Sequence, residues 1–361
     1  MPDWTKSMKQ TFEYYTVDPG TWKDKKELTK VVSCTITRDI TTSTLASATM
    51  EMTESIGEKY VRVYLVTEQA TKRSDGTVDN VIEKHSLGTF LVQTPGTSFN
   101  GRVHTYNMDA YSPLMELKEK KPPIGYSLRK KTDIMPMAFK IVRELCRAPV
   151  VYSQDSTELF YDFVANSDDD WLSFLTDLLA NAEFTFDIDT MGRILFAPVQ
   201  DTASLQSVKT YDDSNSSILY PEVSINRDLY GIPNVVEVSY SDGDGYYYAK
   251  VTNKSENSST STVNRGREII YREVNPRLSG EPTQKQIERY AKQLLKEMST
   301  LEYTVSYTHG YFPSRPGDAV TLNYERAGIK NKKAKIISQT IKCIPGCPVS
   351  EKAVYTSELW G

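Results

Sequence analysis

Three histidines, His85, His104 and His309, are the residues best suited to act as general bases near neutral pH. Each falls on a strand-like run or at its end. Nucleophilic catalysis needs such a base within hydrogen-bond reach of a hydroxyl or thiol. None of the three belongs to a G-x-S-x-G turn or an H-E-x-x-H helix, and no P-loop, dinucleotide fingerprint or kinase motif set occurs. Structural roles are the expectation for all three.

Acidic runs give two further candidates. Asp242, Gly243, Asp244 and Gly245 resemble a fragment of a calcium loop, but the third acidic position and the distal Glu are missing, so a hairpin turn is expected. Asp168, Asp169 and Asp170 precede an apolar helical run, where negative charge suits the helix dipole and one side chain can cap. A pair of carboxylates for glycoside cleavage needs two acids that converge in space. Nothing singles out a pair among the 47 acidic residues.

Four cysteines are too few for a disulfide scaffold of this length. Cys34 lies on a strand-like run and Cys146 on a helical one, and both are expected as small buried hydrophobes. Cys343 and Cys347 enclose Pro345 and Gly346 in a C-x3-C spacing that fits neither a zinc site nor a thioredoxin motif. They are expected at a hairpin tip, bridged if oxidised. Basic clusters at Lys23–Lys30, Lys118–Lys121, Arg129–Lys131 and Lys330–Lys335 adjoin acids or turns, which suits solvated faces rather than a phosphate track. Tyrosine, at 23 residues, is the unusual component. Tyr14, Tyr15, Tyr246–Tyr248, Tyr303, Tyr307 and Tyr311 offer stiff amphipathic area of the kind enriched at protein interfaces, although strand propensity explains much of it. The sequence thus nominates no catalytic, cofactor-binding or metal-ligating residue, and no cofactor.

The elements that position these residues are mostly strands. Period-two alternation marks Val32–Ile36 and Ala46–Met52, and β-branched and aromatic residues mark Tyr60–Val66. An Asp-Gly turn at 73–77 and strands at Leu87–Gln93 and Arg102–Tyr111 follow. After a charged run ending in Pro122 and Pro123, a helix is expected from Thr132 or Asp133 with Ile134, Ala138, Ile141, Val142 and Leu145 on one side. A second helix carries Trp171, Leu172, Leu175, Leu178, Leu179 and Ala182. Strands at Val150–Tyr152, Phe184–Ile188 and Arg193–Ala197 accompany them, the last two joined by a turn at Asp189–Gly192. From about residue 215 the pattern returns to β: Ile232–Tyr240, Tyr246–Thr252, Ile269–Val274, Leu301–His309, Ala319–Tyr324, Lys335–Lys342 and Ala353–Leu359. Asn253–Val263 lacks an apolar period and is expected as an exposed loop. Thr283 and Gln286, preceded by Pro282, form a capping box for a helix whose face is Ile287, Ala291, Leu294, Leu295 and Met298.

At 361 residues the chain has room for two or three domains. Its 43 basic and 47 acidic residues leave a net charge of −4, which argues against a dedicated nucleic-acid binder. No apolar run approaches the ~18 residues of a membrane span. The first residues lack the apolar core of a secretory leader, so the sequons at Asn215, Asn253 and Asn257 are expected as solvated loop positions.

Two stretches carry a family resemblance. Ile232–Val238 leads into a hairpin, a polar loop, the helix and strand of Gln286–Tyr307, and then Arg315–Tyr324. Ser33–Asp39 with Thr44–Met52 has the look of a first pair of barrel strands. The order of elements over most of the chain resembles the late-control-D-like baseplate and tail hub proteins of tailed bacteriophages, although the shared motifs are short. The resemblance implies a mainly β fold with two small antiparallel, tube-like β-barrels flanking an inserted α/β domain. The segments would be an N-terminal extension at 1–27, a first barrel at 28–115, the insertion at 116–214, and a second barrel with one helix at 215–361. It further implies a non-enzymatic virion protein made in the bacterial host cytoplasm: a homotrimer whose six barrels form a ring, joining the hexameric tail tube or distal-tail protein above to the spike, tip or tail fibre below. Contact with the tape-measure protein, no membrane anchor, and DNA only in transit through the lumen complete that picture. Two other classes compete with it: a peptidoglycan-directed tail hydrolase, which would need converging carboxylates or a histidine dyad in a cleft, and a host-surface glycan-binding module built on exposed tyrosines.

Overall fold

The computed structural model describes residues 2–72, 78–214, 217–227, 230–241, 245–276 and 283–358. The turn expected at 73–77, Asn215, the Asp242–Asp244 run, Pro282 and Leu359 lie outside the described residues. The chain is mainly β, 47% strand against 14% helix. By contact it divides into a first unit of residues 1–223 with 307–352 and a second of 224–306 with 353–361.

Strands open the first unit: β1 (Lys9–Val17), β2 (Asp24–Glu27), β3 (Val31–Asp39), β4 (Ala46–Met52), β5 (Tyr60–Lys72), β6 (Val78–Phe99) and β7 (His104–Tyr111). Residues 1–27, expected as an N-terminal extension, contribute two of them. All nine residues of β1 pair antiparallel with β5, and Tyr14, Thr16 and Val17 turn inward to less than a tenth exposure. β6 is far longer than the expected Leu87–Gln93, because its first part pairs with β5 and its last with β7. The inward residues of these strands, among them Ile36, Met50, Val61, Val63, Leu65, Leu87, Phe90 and Met108, form one buried cluster.

A compact α/β module follows: α1 (Met115–Lys118), β8 (Ser127–Leu128), α2 (Ile134–Leu145), β9 (Phe163–Val164), α3 (Trp171–Ala180), β10 (Phe184–Ile188) and β11 (Ile194–Pro198). α2 buries Ile134, Ala138, Ile141 and Val142 as its spacing predicts, and α3 buries Trp171, Leu172, Leu175, Leu178 and Leu179. Together with Phe186 and Phe196 these residues make the module's own core. Asp170 caps α3: its carboxylate accepts from the Ser173 N–H at 2.7 Å, while Ser173 Oγ accepts from the Asp170 N–H at 3.0 Å. The expected strand at Val150–Tyr152 is a single bridge from Val150 to Ile194.

The module docks through its β10–β11 turn. Gly192 holds φ at +75°, and a Cβ there would lie 2.6 Å from the Thr89 Cβ, so only glycine fits. The turn is held by Trp22 Nε1 and Arg62 Nη2, which donate to the Met191 carbonyl at 2.8 and 3.1 Å. Arg62 is 1% exposed. Its remaining donors reach Thr89 Oγ1 at 2.8 Å and Asp24 at 2.9 Å, which satisfies a charge that would otherwise be costly to bury.

After the module come β12 (Ser207–Asp212) and β13 (Leu219–Arg227). The second unit then builds a three-stranded sheet from β14 (Val235–Ser241), β15 (Tyr246–Thr252) and, past the single turn of α4 (Thr262–Arg265), β16 (Ile270–Val274). β15 returns antiparallel on β14, and β16 runs parallel to it. Helix α5 (Gln284–Met298) packs Ile287, Ala291 and Leu295 onto Val236, Val238 and Ala249. Each large apolar residue so buried contributes about 1.5–3 kcal/mol. The Thr283–Gln286 capping box forms as expected. The loop Asn253–Val263 departs from expectation: Asn253, Ser258, Thr260 and Ser261 are all buried. Side-chain amides do the work that apolar residues would do elsewhere, with Asn253 Nδ2 donating to Ser258 Oγ at 3.0 Å and Asn234 Nδ2 to the Thr260 carbonyl at 3.1 Å. Asn253 is therefore not the solvated loop position its sequon suggests.

The chain closes with β17 (Thr300–Gly310), β18 (Ala319–Asn323), β19 (Lys332–Lys342) and β20 (Pro348–Glu358). In place of two separate closed barrels there is one thirteen-stranded, largely antiparallel sheet, in the order β13-β17-β20-β19-β3-β4-β7-β6-β5-β1-β2, with β18 between β12 and β19. The physical reason is one ladder. β19 pairs with β3, Ser338 opposite Asp39 through Lys342 opposite Thr35, so the strands of the C-terminal part continue directly into those of the N-terminal part.

Candidate assembly surface

The groups that could do chemistry are dispersed. His85, its ring against the Trp4 edge, lies 3.6 Å from Glu83, and burial lowers its pKa. His104 stacks on Phe99 at the surface. His309 is fully buried in a polar centre within the first unit. There Glu351 Oε2 accepts from Tyr307 Oη at 2.6 Å, and Oε1 accepts from Ser314 Oγ at 3.0 Å and from Gln339 Nε2. His309 Nε2 lies 3.2 Å from the same Oε1, while its Nδ1 faces the Gly310 carbonyl at 2.6 Å. Burial alone would raise the Glu351 pKa. The His309, Tyr307 and Gln339 contacts outweigh it and hold the carboxyl below its ordinary value. Such a centre fixes strand ends; it presents no open position to a substrate.

A cleft of about 430 Å³ in the first unit is lined by Asp187, Asp318, Arg315 and Lys335 on a wall that includes Leu45, Val199 and Leu205. Burial raises the pKa of both acids. Arg315 engages both: its guanidinium lies 3.2 Å from Asp187, and its backbone N–H donates to Asp318 at 2.9 Å. Among the described residues no group of three or more His, Cys, Asp or Glu side chains is arranged to hold a metal. No described helix is long and apolar enough to cross a membrane.

Cys343 and Cys347 flank an exposed turn between β19 and β20, as the spacing predicts, and all four thiols are free. Lysines of the 330–335 cluster are tied to a loop, Lys333 Nζ donating to the carbonyls of Ala203 and Leu205 at 3.1 and 2.9 Å. That is a structural use of basic charge.

The surface also presents exposed apolar and aromatic side chains. The tyrosines divide: Tyr14, Tyr307 and Tyr311 are core residues, whereas Tyr246 and Tyr248 are 69% and 42% exposed. Register places Tyr248, Ser239 and Val274 in one row across the second unit's sheet, on the face away from α5. The adjoining row is Lys250, Glu237 and Arg272, with Arg272 Nε 2.7 Å from Glu237. In the first unit, the far part of the β5–β6 hairpin extends past β1, which ends opposite Glu68, and ahead of β7, which first pairs at Leu91. Val78, Val81 and Ile82 stand exposed there, at 64%, 41% and 66%. Exposed apolar groups on strands that outrun their neighbours are what a subunit interface uses. The tyrosines are legible in the sequence as interface material, whereas the exposed face of this hairpin is not, because alternation marks a strand without telling which of its faces is covered.

No protein-family model matches the chain, and no curated protein matches it significantly. Solved structures do share its fold. The 43 kDa tail protein of prophage MuSo2 from Shewanella oneidensis matches with a TM-score of 0.60 at 12% identity, over 95% of this chain and 98% of that one. A tail protein from Neisseria meningitidis MC58 matches with a TM-score of 0.62 at 11% identity, over 96% of each chain.

Proposed function

We propose that the chain is a structural component of the tail of a bacteriophage or phage-tail-like particle, and within it the hub. The observation that carries this reading is end-to-end similarity of fold to two tail proteins, one of them from a prophage, with nearly the whole of each chain matched. In the proposed assembly three copies form a ring. The sheet around the first buried cluster would serve as one tube-like barrel of each copy in the assembled ring, and the strands β12, β13 and β17–β20 as the second. Pairing of such units around a ring covers strand edges that a lone copy leaves open. The ring joins the hexameric tube or distal-tail protein to a spike, tip or fibre, with the tape-measure protein as a transient neighbour, and DNA passes through it at ejection. A chain with net charge −4 suits passage of DNA, since each phosphate neutralised by a basic residue would add affinity and retain it.

The test is mass measurement of the purified protein by light scattering, together with particle images. Three copies, or multiples of three, are expected. A monomer at working concentration, with no ring in the images, overturns the hub assignment. One observation favours a second, enzymatic reading: the cleft holding Asp187 and Asp318. Lysis of peptidoglycan by the wild type that disappears in Asp187→Asn and Asp318→Asn would establish it.

A further inference from the structure

We propose that Cys34 and Cys343 form a cross-strand disulfide when the protein meets an oxidising medium, and that Cys347 is not the partner of Cys343. The observation is one of register. The β19–β3 ladder pairs Lys342 with Thr35, so the next position sets Cys343 directly opposite Cys34, and the Cys343 N–H donates to the Cys34 carbonyl at 3.0 Å. Residues opposite each other in an antiparallel hydrogen-bonded pair point to the same face with Cα atoms about 5.5 Å apart, inside the span a disulfide bridges. Both thiols are in the same buried cluster, 3% and 8% exposed. Tyr14 shares that cluster, and contact with Cys343 raises the Cys34 pKa. Cys347 is buried in the same cluster, but it follows Cys343 across the exposed turn Ile344–Gly346, where its N–H donates to the Ile344 carbonyl at 2.8 Å and its φ is +38°.

The oxidant is a small-molecule disulfide of the glutathione class. A thiolate of the pair attacks it, releasing one small thiol and leaving a mixed disulfide. The second protein thiol displaces the other small thiol, so two protein S–H bonds become one S–S bond and two small thiols carry away the hydrogens and electrons. Access comes from opening of the exposed turn beside Cys343. Reaction is slow at neutral pH and faster in mild alkali, because contact with Cys343 and burial disfavour the Cys34 thiolate. The product joins β3 to β19 across a loop that spans most of the chain, and it does so whether or not the hub reading holds.

The test uses the full-length folded protein equilibrated with oxidised glutathione, with alkylation of the remaining thiols and peptide mapping. A cross-linked pair of peptides carrying Cys34 and Cys343 is expected, together with a rise in Tm on the order of 5 °C from the constraint on the unfolded chain. Cys347→Ser should retain the link, and Cys34→Ser should abolish both link and rise. A Cys343–Cys347 peptide, or four alkylated thiols after prolonged oxidation, overturns the proposal. Because the wild-type map decides the matter alone, failure of a variant to fold does not protect it.

Discussion

Substitution of Glu351 offers a sharp check on the reading of the buried polar centre. In Glu351→Ala, Tyr307, Ser314, Gln339 and His309 would all lose their common acceptor in a site with no exposure to water. Removing one partner from a buried charged cluster costs about 3–5 kcal/mol. Glu351→Gln is milder for a geometric reason. Three of the donors converge on Oε1 and only Tyr307 meets Oε2. An amide oxygen placed at Oε1 keeps those three, while the Tyr307 hydroxyl rotates to accept from the new NH2. The remaining loss is that of hydrogen bonds to a charge, about 1.5–3 kcal/mol. The assay is equilibrium unfolding in urea, read as a lower midpoint at unchanged slope. The sign of the pH dependence follows from the depressed carboxyl. Its contribution is full above the ordinary value of 4.5 and is lost as pH falls through the lower folded value, so the gap between wild type and Glu351→Gln should narrow in acid. An alanine variant within 1 kcal/mol of wild type would refute the argument.

Two further expectations concern the other packed centres. Arg62→Met removes the guanidinium that ties Asp24 and Thr89 to the Met191 carbonyl, and should cost about 3 kcal/mol while exposing the Asp189–Gly192 turn to proteolysis; an unchanged digestion pattern would count against the docking role. Leu295→Ala empties a fully buried position between α5 and its sheet and should cost about 2–5 kcal/mol, read by hydrogen exchange in α5 amides. Unaltered exchange there would mean the helix is held by something other than its apolar stripe.

Local signals carried well from sequence to structure. The α5 stripe and its capping box, the start of α3 at Asp170, and the β10–β11 turn all depend on residues within a few positions of one another. What failed was non-local. Lys9–Val17 hides its alternation because Thr16 does what an apolar residue usually does, and its inward role exists only against β5. His309 and Glu351 lie 42 positions apart and meet only because β17 and β20 are neighbours. The buried loop at 253–261 contains no apolar run at all; its order comes from asparagine side chains, Asn253 bonding within the loop and Asn234 reaching in from another segment. The barrel expectation stopped short for the same reason, since alternation gives strands and faces, while the β19–β3 ladder that fuses the strands into one sheet is a matter of distant pairing.

That ladder also sets a constraint on how the protein is made. Arg38 hydrogen-bonds to Gln339 across a separation of 301 positions, so during translation the outer edge of β3 waits unpaired until almost the entire polypeptide has left the ribosome. Sheets completed by such late arrivals fold slowly, and the waiting edge is open to pairing with neighbouring nascent chains. Yield in a heterologous host should accordingly depend on synthesis rate and temperature more than on the stability of the finished molecule.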